Sequence, residues 1–365
     1  MPIASDLQLK INGQALDSQT VVPLLCGVDV DLGVQQQGMV RLQLAAGQDA
    51  SGDWARDLVH DFIPGSAITV DVRIGSAANR LFNGVLTQSR LNFAAEVHDS
   101  KFEVTGMDVL EKVKRSSNQR RYQGDLSSIV SQVLGRQNIT LDSSNTPTDS
   151  NLSESQTDSD LEFLTGLARN YNCEVYVESS QSGDTGYFQK LDFATASDVS
   201  TDLRVNQGQQ TNVRNAQFYI DLSAPTRIEA NYVGPNGQSG SQRIYSDLRN
   251  TPGLSQIETD LLGPQSFALI ARLNRESRDT PERLQVRCDS ELERNSWVVI
   301  GKGELDTAAY GDLLYPRRSV QVRGSGSLFE GQYMVWKVTH TFQRQTHCQK
   351  FELRRKLGMT RNGGS

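Results

Sequence analysis

The stretch TDSDLEFLTGLARNYNCEVYVE, Thr157 to Glu178, sets three carboxylates, Asp158, Asp160 and Glu162, within five residues and then passes into alternating apolar and polar residues. Ser159 followed three positions later by Glu162 is the spacing of a capping box, in which each side chain bonds the other's backbone N–H at a helix start. Asp160 takes the first helical position, and Asp158 lies just outside the first turn, where unpaired N–H groups favour negative charge. Leu161, Leu164, Leu167, Ala168 and Tyr171 recur at helical spacing and form one apolar stripe. Past Asn170, Cys173, Val175 and Val177 alternate with Glu174, Tyr176 and Glu178, the pattern of a half-buried strand. The acids therefore start a helix, and a strand follows it.

Working outward toward the N-terminus, the polar segment 142–159 has few apolar residues with which to offset the entropy of ordering and reads as an exposed loop. Before it, GDLSSIVSQVLGRQ (124–137) places Leu126, Ile129, Val130, Val133 and Leu134 on one helical stripe, with Asp125 as N-cap and Gly135 at the C-terminal end. DVLEKVKRS (108–116) gives a further short helix. Residues 1–105 are strand-like: VVPLLCGVDVDLG, GMVRLQLAAG, SAITVDVRIG, NRLFNGVLTQSRLNF and KFEVTGMD are short, rich in Val, Leu and Ile, and separated by Gly, Asn or Pro. One helix interrupts them at GDWARDLVHDFI, with Trp54, Leu58 and Phe62 on one side.

From about 195 onward strands return. TRIEANYVGPNG ends in a Gly234–Gly237 turn, SFALIARLNRESR (266–278) reads as helical, and RLQVRCD (283–289), NSWVVIGKGELD and SVQVRGSG read as strands. At the end of the chain, alternation puts Tyr333, Val335, Lys337, Thr339 and Thr341 on one face of a strand and Met334, Trp336, Val338, His340 and Phe342 on the other, before a hairpin turn near Gln343–Gln345. The order is a first β unit (1–105), a mixed α/β insert (106–195), a second β unit (196–356) and a polar tail (357–365).

With 365 residues, the chain has room for two or three domains, at roughly 150 residues each. Its 37 Lys plus Arg against 43 Asp plus Glu give a formal net charge of −6, which argues against nucleic-acid binding. Cys26, Cys173, Cys288 and Cys348 are dispersed and read as reduced thiols. No apolar run is long enough to span a membrane, and the N-terminus lacks a secretory pattern. Synthesis in the cytoplasm, without membrane insertion, is the expectation.

Candidate chemistry is sparse. The four histidines, His60, His98, His340 and His347, form neither His-x-x-x-His nor His-Glu-x-x-His. Only His340, His347 and Cys348 approach one another, across the hairpin, and their expected role is as sheet residues and not as metal ligands. There is no P-loop, dinucleotide-binding glycine pattern or Gly-x-Ser-x-Gly elbow. No cofactor is expected. The basic runs Lys112–Arg121 and Glu352–Lys356 offer Arg115, Arg120, Arg121, Arg354 and Arg355 as contacts for an acidic partner subunit.

Three stretches resemble the phage late control D and baseplate hub family, which includes the hub portion of type VI secretion spike proteins and of extracellular contractile injection systems. The first is FNGVLTQSRLNF with KFEVTGMDVLEKVKRSSNQRRYQGDLSSIVSQVL, through Phe82, Gly84 and Val85 and through Gly106, Asp108 and Leu110. The second is the helix through Ser159, Asp160, Glu162, Phe163, Leu164, Leu167 and Ala168. The third is the closing hairpin, through Tyr333, Val335, Val338 and His340.

The resemblance implies a mainly β fold with an α+β insert, in which two domains are β-barrels like a tube protein. It implies a structural baseplate hub and no enzyme: a homotrimer forming a pseudo-sixfold ring between a hexameric inner tube and a trimeric spike. The implied partners are copies of itself, a separate spike protein, an inner tube or tube-initiator protein, and baseplate wedge or LysM-type connector proteins. Its implied location is a phage tail or contractile injection particle. The alternatives are a cell-wall (peptidoglycan) hydrolase using Glu162 as its acid, and a carbohydrate- or receptor-binding β protein.

Overall fold

The computed structural model of the chain describes residues 5–47, 58–96, 99–150, 152–194, 196–199, 201–232, 242–274, 280–343 and 346–358. The first part contains β1 (Ser5–Ile11), β2 (Gln14–Ala15), β3 (Leu25–Gly33), β4 (Met39–Ala45), α1 (Leu58–Asp61), β5 (Ala67–Ile74), β6 (Ala77–Asn92) and β7 (Lys101–Asp108). The insert holds α2 (Leu110–Arg115), β8 (Arg120–Gly124), α3 (Leu126–Gly135), β9 (Thr140–Asp142), β10 (Leu152–Gln156), α4 (Asp160–Asn170), β11 (Glu174–Ser180) and β12 (Gly183–Gln189). The last part runs through β13 (Leu203–Arg204), β14 (Asn215–Ile220), β15 (Arg227–Tyr232), β16 (Gln242–Asp247), α5 (Gln256–Leu262), β17 (Ile270–Leu273), α6 (Pro281–Asn295), β18 (Val299–Asp306), α7 (Thr307–Tyr310), β19 (Ser319–Arg323), β20 (Gly331–Gln343) and β21 (Thr346–Arg355). The expected Trp54, the Gly234–Gly237 turn, His98, the hairpin residues Arg344 and Gln345, and most of the polar tail lie outside the described residues.

The expected pair of closed barrels is not what forms. Strands from both ends of the chain build one open 13-stranded sheet, in the order β14-β18-β21-β20-β3-β4-β7-β6-β5-β1-β2, with β19 beside β20 and β13 beside β19. The two halves join where Lys337–Phe342 of β20 pair antiparallel with Val28–Gly33 of β3. The start of β20 pairs instead with β19, so this one strand is long enough to serve both halves. Each half has its own apolar core: Val30, Leu42, Ile68, Phe82 and Phe102 in the first, and Val299, Val322, Tyr333, Val335 and Leu353 in the second. Alternation predicts which residues of a strand face a core, but it carries no information on which distant strand lies alongside.

A bulge between Val335 and Lys337 corrects the expected faces of β20. The extra residue at Trp336 resets the alternation, so Tyr333 and Val335, like Val338, His340 and Phe342, are all buried. In the insert, the stripe of α3 is buried as its spacing predicts, and Leu164, Leu167 and Ala168 of α4 join it with Phe188 in a third core. Part of the expected loop 142–159 is strand, since β10 pairs with β8. A fourth, small core lies between the sheet β16-β15-β17 and α6.

Two local readings reverse here. The expected helix 266–278 is a short 3-10 turn followed by β17, and its residues 275–278 lie outside the described set. The expected strand RLQVRCD lies within α6, where Thr280 caps the start, Pro281 occupies the first position, and Leu284 and Cys288 are buried one turn apart.

Candidate functional site

Several residues carrying the family resemblance stand where β6 and β7 pair and where the chain turns from β7 into α2. Gly84 of β6 lies so close to β7 that a Cβ there would stand 2.0 Å from the Met107 carbonyl oxygen. A Cβ on Gly106 would meet Val40 Cγ1 at 2.9 Å and Ile68 Cγ2 at 3.1 Å. Two residues on, Asp108 accepts from the Gly38 backbone N–H at 2.5 Å and from the Leu110 N–H at 3.0 Å, fixing the turn from sheet to α2. Burial raises its pKa to about 6, against the opposing pull of those bonds and of Arg317. Phe82 and Leu110 are both buried beside this turn.

At α4 the capping box is complete: Ser159 Oγ accepts from the Glu162 N–H, and the Glu162 carboxylate accepts from the Ser159 N–H. Bonds from the Ser159 side chain and backbone hold the Glu162 pKa below the usual carboxylate value. A general acid needs the opposite shift. Asp160 is fully buried and paired with Arg136 at 2.7 Å and Gln156 at 2.6 Å. Phe163 stacks on Tyr122 with ring centroids 5.2 Å apart. These side chains tie the insert together.

The closing hairpin buries a histidine pair. His340 Nδ1 lies 3.1 Å from His347 Nε2, and His340 Nε2 lies 3.1 Å from the Leu314 carbonyl oxygen. Burial, reinforced by the charge of its neighbour, pushes His340 well below the usual imidazole value. Burial brings His347 to about 3. Cys348 projects to the other face of β21, where Arg214 Nη1 approaches its Sγ at 3.1 Å, so the two imidazoles and the thiol do not converge. Among the described residues no group of three or more His, Cys, Asp or Glu is placed to hold a metal ion.

The five arginines divide. Arg115 pairs with Glu111 at 2.8 Å and stays 66% exposed. Arg120 lies over the Tyr122 ring, and Arg121 donates to Ser153 Oγ at 2.9 Å. Arg354 stacks on Trp336 and pairs with Glu352. Arg355 is buried, donating to the Leu328 carbonyl oxygen at 2.8 Å.

The sequence reading did not single out Arg317, the side chain on which the three parts of the chain meet. It pairs with Glu174 of β11, donates to the Gly33 carbonyl oxygen at 3.0 Å at the end of β3, and lies 4.0 Å over the Tyr176 ring. Glu174 also accepts from the Gln35 N–H at 2.5 Å. Beside this knot runs a cavity of about 510 Å³ between β6, the β11–β12 hairpin and residues 315–318. Its polar lining residues are already engaged: Asn83 with Asp184 at 3.0 Å, Arg318 with Glu178 at 2.8 Å, and Arg80 with Asp71. It is a seam between parts of the chain. Nothing local marks Arg317, because its partners lie up to 284 residues away.

This architecture defines a class. The 43 kDa tail protein of prophage MuSo2 from Shewanella oneidensis shares it with a TM-score of 0.70 at 12% identity, over 96% of this chain and 98% of that one. The tail protein from Neisseria meningitidis MC58 shares it at 0.68 and 10% identity, over 96% and 97%. An Escherichia coli component of the type VI secretion system, described as similar to the bacteriophage T4 tail proteins gp27 and gp5, matches at 0.56 and 12% identity, over 94% and 76%. The chain thus has the fold of these phage tail proteins and of this type VI secretion component.

The family model described as the Alg8 N-terminal domain matches residues 4–181, a little under half of the chain. No curated protein sequence matches it. No helix among the described residues is long and apolar enough to cross a membrane.

Proposed function

We propose that the chain is the structural hub of a phage tail or contractile injection machine, with three copies forming a ring between a hexameric inner tube and a trimeric spike. The observation that carries this reading is the fold likeness to tail proteins along nearly the whole length of both chains. Three copies, each with two β halves over separate cores, present six comparable units to a sixfold tube and three identical surfaces to a threefold spike, which resolves the mismatch of symmetry. The signature residues act as structural parts: Gly84 and Gly106 permit the close approach of β6, β7 and β4, Asp108 sets the turn, and Ser159 with Glu162 starts the insert helix. Exposed Arg115, Arg120 and Arg121 suit an acidic neighbour, with tube, spike, wedge and LysM-type connector proteins as the partners and the assembled particle as the location.

Mass measurement and electron microscopy of the purified chain test the ring, and co-purification with the tube and spike proteins of the same particle tests the linkage. A chain that stays monomeric at all concentrations and binds neither protein would overturn the reading.

A further inference from the structure

The large exposed apolar side chains of the described residues gather mainly in two groups, one in each half of the chain. In the second half, Ile257, Leu261, Phe267, Leu269 and Ile270 are each at least 40% exposed, Phe267 reaching 71%. α5 turns Glu258 and Leu262 inward, which leaves Ile257 and Leu261, four apart, on its outer face. In the first half, Leu58 and Phe62 are buried while Val59, Ile63 and Phe93 are exposed at 53%, 49% and 71%. The end of β6 lies beside α1, where Ser89 Oγ donates to the Phe62 carbonyl oxygen. Single exposed apolar residues are ordinary, whereas sets on neighbouring elements mark contact surfaces.

The charges beside the two groups differ. Next to β17, Arg272 and Arg243, with side chains 78% and 57% exposed, both lean on Glu229, a carboxylate that Arg227 holds as well at 2.8 Å. Three guanidiniums share one acid and leave donors for another. Around α1 and the end of β6 stand Asp61, Glu96 and Asp99, against Arg90 and Lys101.

We propose that these are the two sides of one head-to-tail contact between copies of this chain. The α5–β17 surface of one copy seats on the α1–Phe93 surface of the next, with Arg243 and Arg272 meeting its carboxylates. A cyclic assembly of this kind needs two different complementary surfaces on every subunit. A self-paired contact would set Arg272 against its own copy, where like charges repel. The count of three rests on the hub reading; the contact does not.

Sedimentation of the full chain tests the contact with two double variants, Phe267→Ser with Leu269→Ser, and Val59→Ser with Ile63→Ser. Each alone weakens assembly on the order of 100-fold while keeping the wild-type circular dichroism. An equimolar mixture of the two forms one-to-one pairs, because each pair retains one intact contact. Arg272→Glu, at a largely exposed side chain, weakens assembly without touching a core. Assembly of either double variant at wild-type concentration, or a mixture that stays monomeric, overturns the contact and leaves the ring standing. A wild-type chain that never assembles overturns both.

Discussion

Arg317 occupies the left-handed backbone region, with φ of 66°, a conformation that an arginine takes up only where its surroundings fix it. Those surroundings are the Glu174 carboxylate, the Gly33 carbonyl and the Tyr176 ring. Its side chain is 12% exposed and that of Glu174 is 9% exposed, so removing one partner strands a buried charge. Arg317→Met is expected to cost about 3–5 kcal/mol, and adding Glu174→Gln to recover part of the loss. Urea unfolding of the two single variants and the double reads this directly, and strictly additive costs would show that the pair is uncoupled. The glycines make a second residue-scale case. At Gly84 the obstacle to a side chain is a backbone carbonyl, which cannot move aside, while at Gly106 it is chiefly methyl groups. Gly84→Ala is therefore expected to destabilise by about 3 kcal/mol, at the upper end for overpacking, and Gly106→Ala by about 1–2 kcal/mol. Equal thermal shifts in the two variants would refute the distinction. Both glycines stand within the motifs that carry the family resemblance, but the close approach that demands them is visible only once β6, β7 and β4 lie together.

Elements whose signals are local were legible in the sequence. The start of α4 is written in Ser159, Asp160 and Glu162, and the stripe of α3 in five apolar residues that are all buried. Ser159→Ala removes the cap and is expected to cost about 1 kcal/mol. Glu162→Gln keeps an acceptor at the third position, so thermal unfolding is expected to change little. The same variant separates the structural reading from the hydrolase one: peptidoglycan clearing by the wild-type protein that disappears in Glu162→Gln would restore a catalytic role. Where two periods fit the same residues, the reading failed. RLQVRCD alternates like a strand, yet Leu284 and Cys288 also stand four apart, and Val286 between them is 58% exposed, as a helix requires. Thr280 followed by Pro281 was the available signal, because a capping residue before proline starts a helix. In β20 a single inserted residue at Trp336 exchanged the two faces, and bulges of that kind leave no mark in a hydrophobic pattern.

At the scale of the whole molecule, the mainly β composition with a mixed insert was legible, whereas the single open sheet was not: its central junction pairs residues near 30 with residues near 340, and alternation is blind to such partners. The same junction region holds the groups that set the acid response. His340 and His347 are buried as neutral rings among Leu314, Tyr315, Phe342 and Gln349, with pKa values below those of the unfolded chain. Below about pH 6.5 the unfolded chain therefore takes up protons that the folded chain refuses, down to about pH 3 for His347, so stability present above pH 6.5 is lost on acidification. Asp108 acts in the opposite sense. Its folded value of about 6 exceeds the unfolded 3.8, so between those values the folded state holds the extra proton and gains stability as pH falls. Two imidazoles act against one carboxylate, so the unfolded chain remains the net proton acceptor and stability falls as the pH is lowered through this range. Carboxylates held low by partners, such as Asp71 beside Arg80 and Glu229 beside Arg243, add to the loss only once pH approaches their unfolded values near 4. Urea midpoints taken from pH 7 to 4.5 are thus expected to fall in the wild-type chain and to fall less in His347→Gln. In a variant carrying both His340→Gln and His347→Gln, Asp108 is left to dominate, and the slope is expected to reverse above pH 4.5. An unchanged slope in the double variant would place the acid sensitivity outside the hairpin.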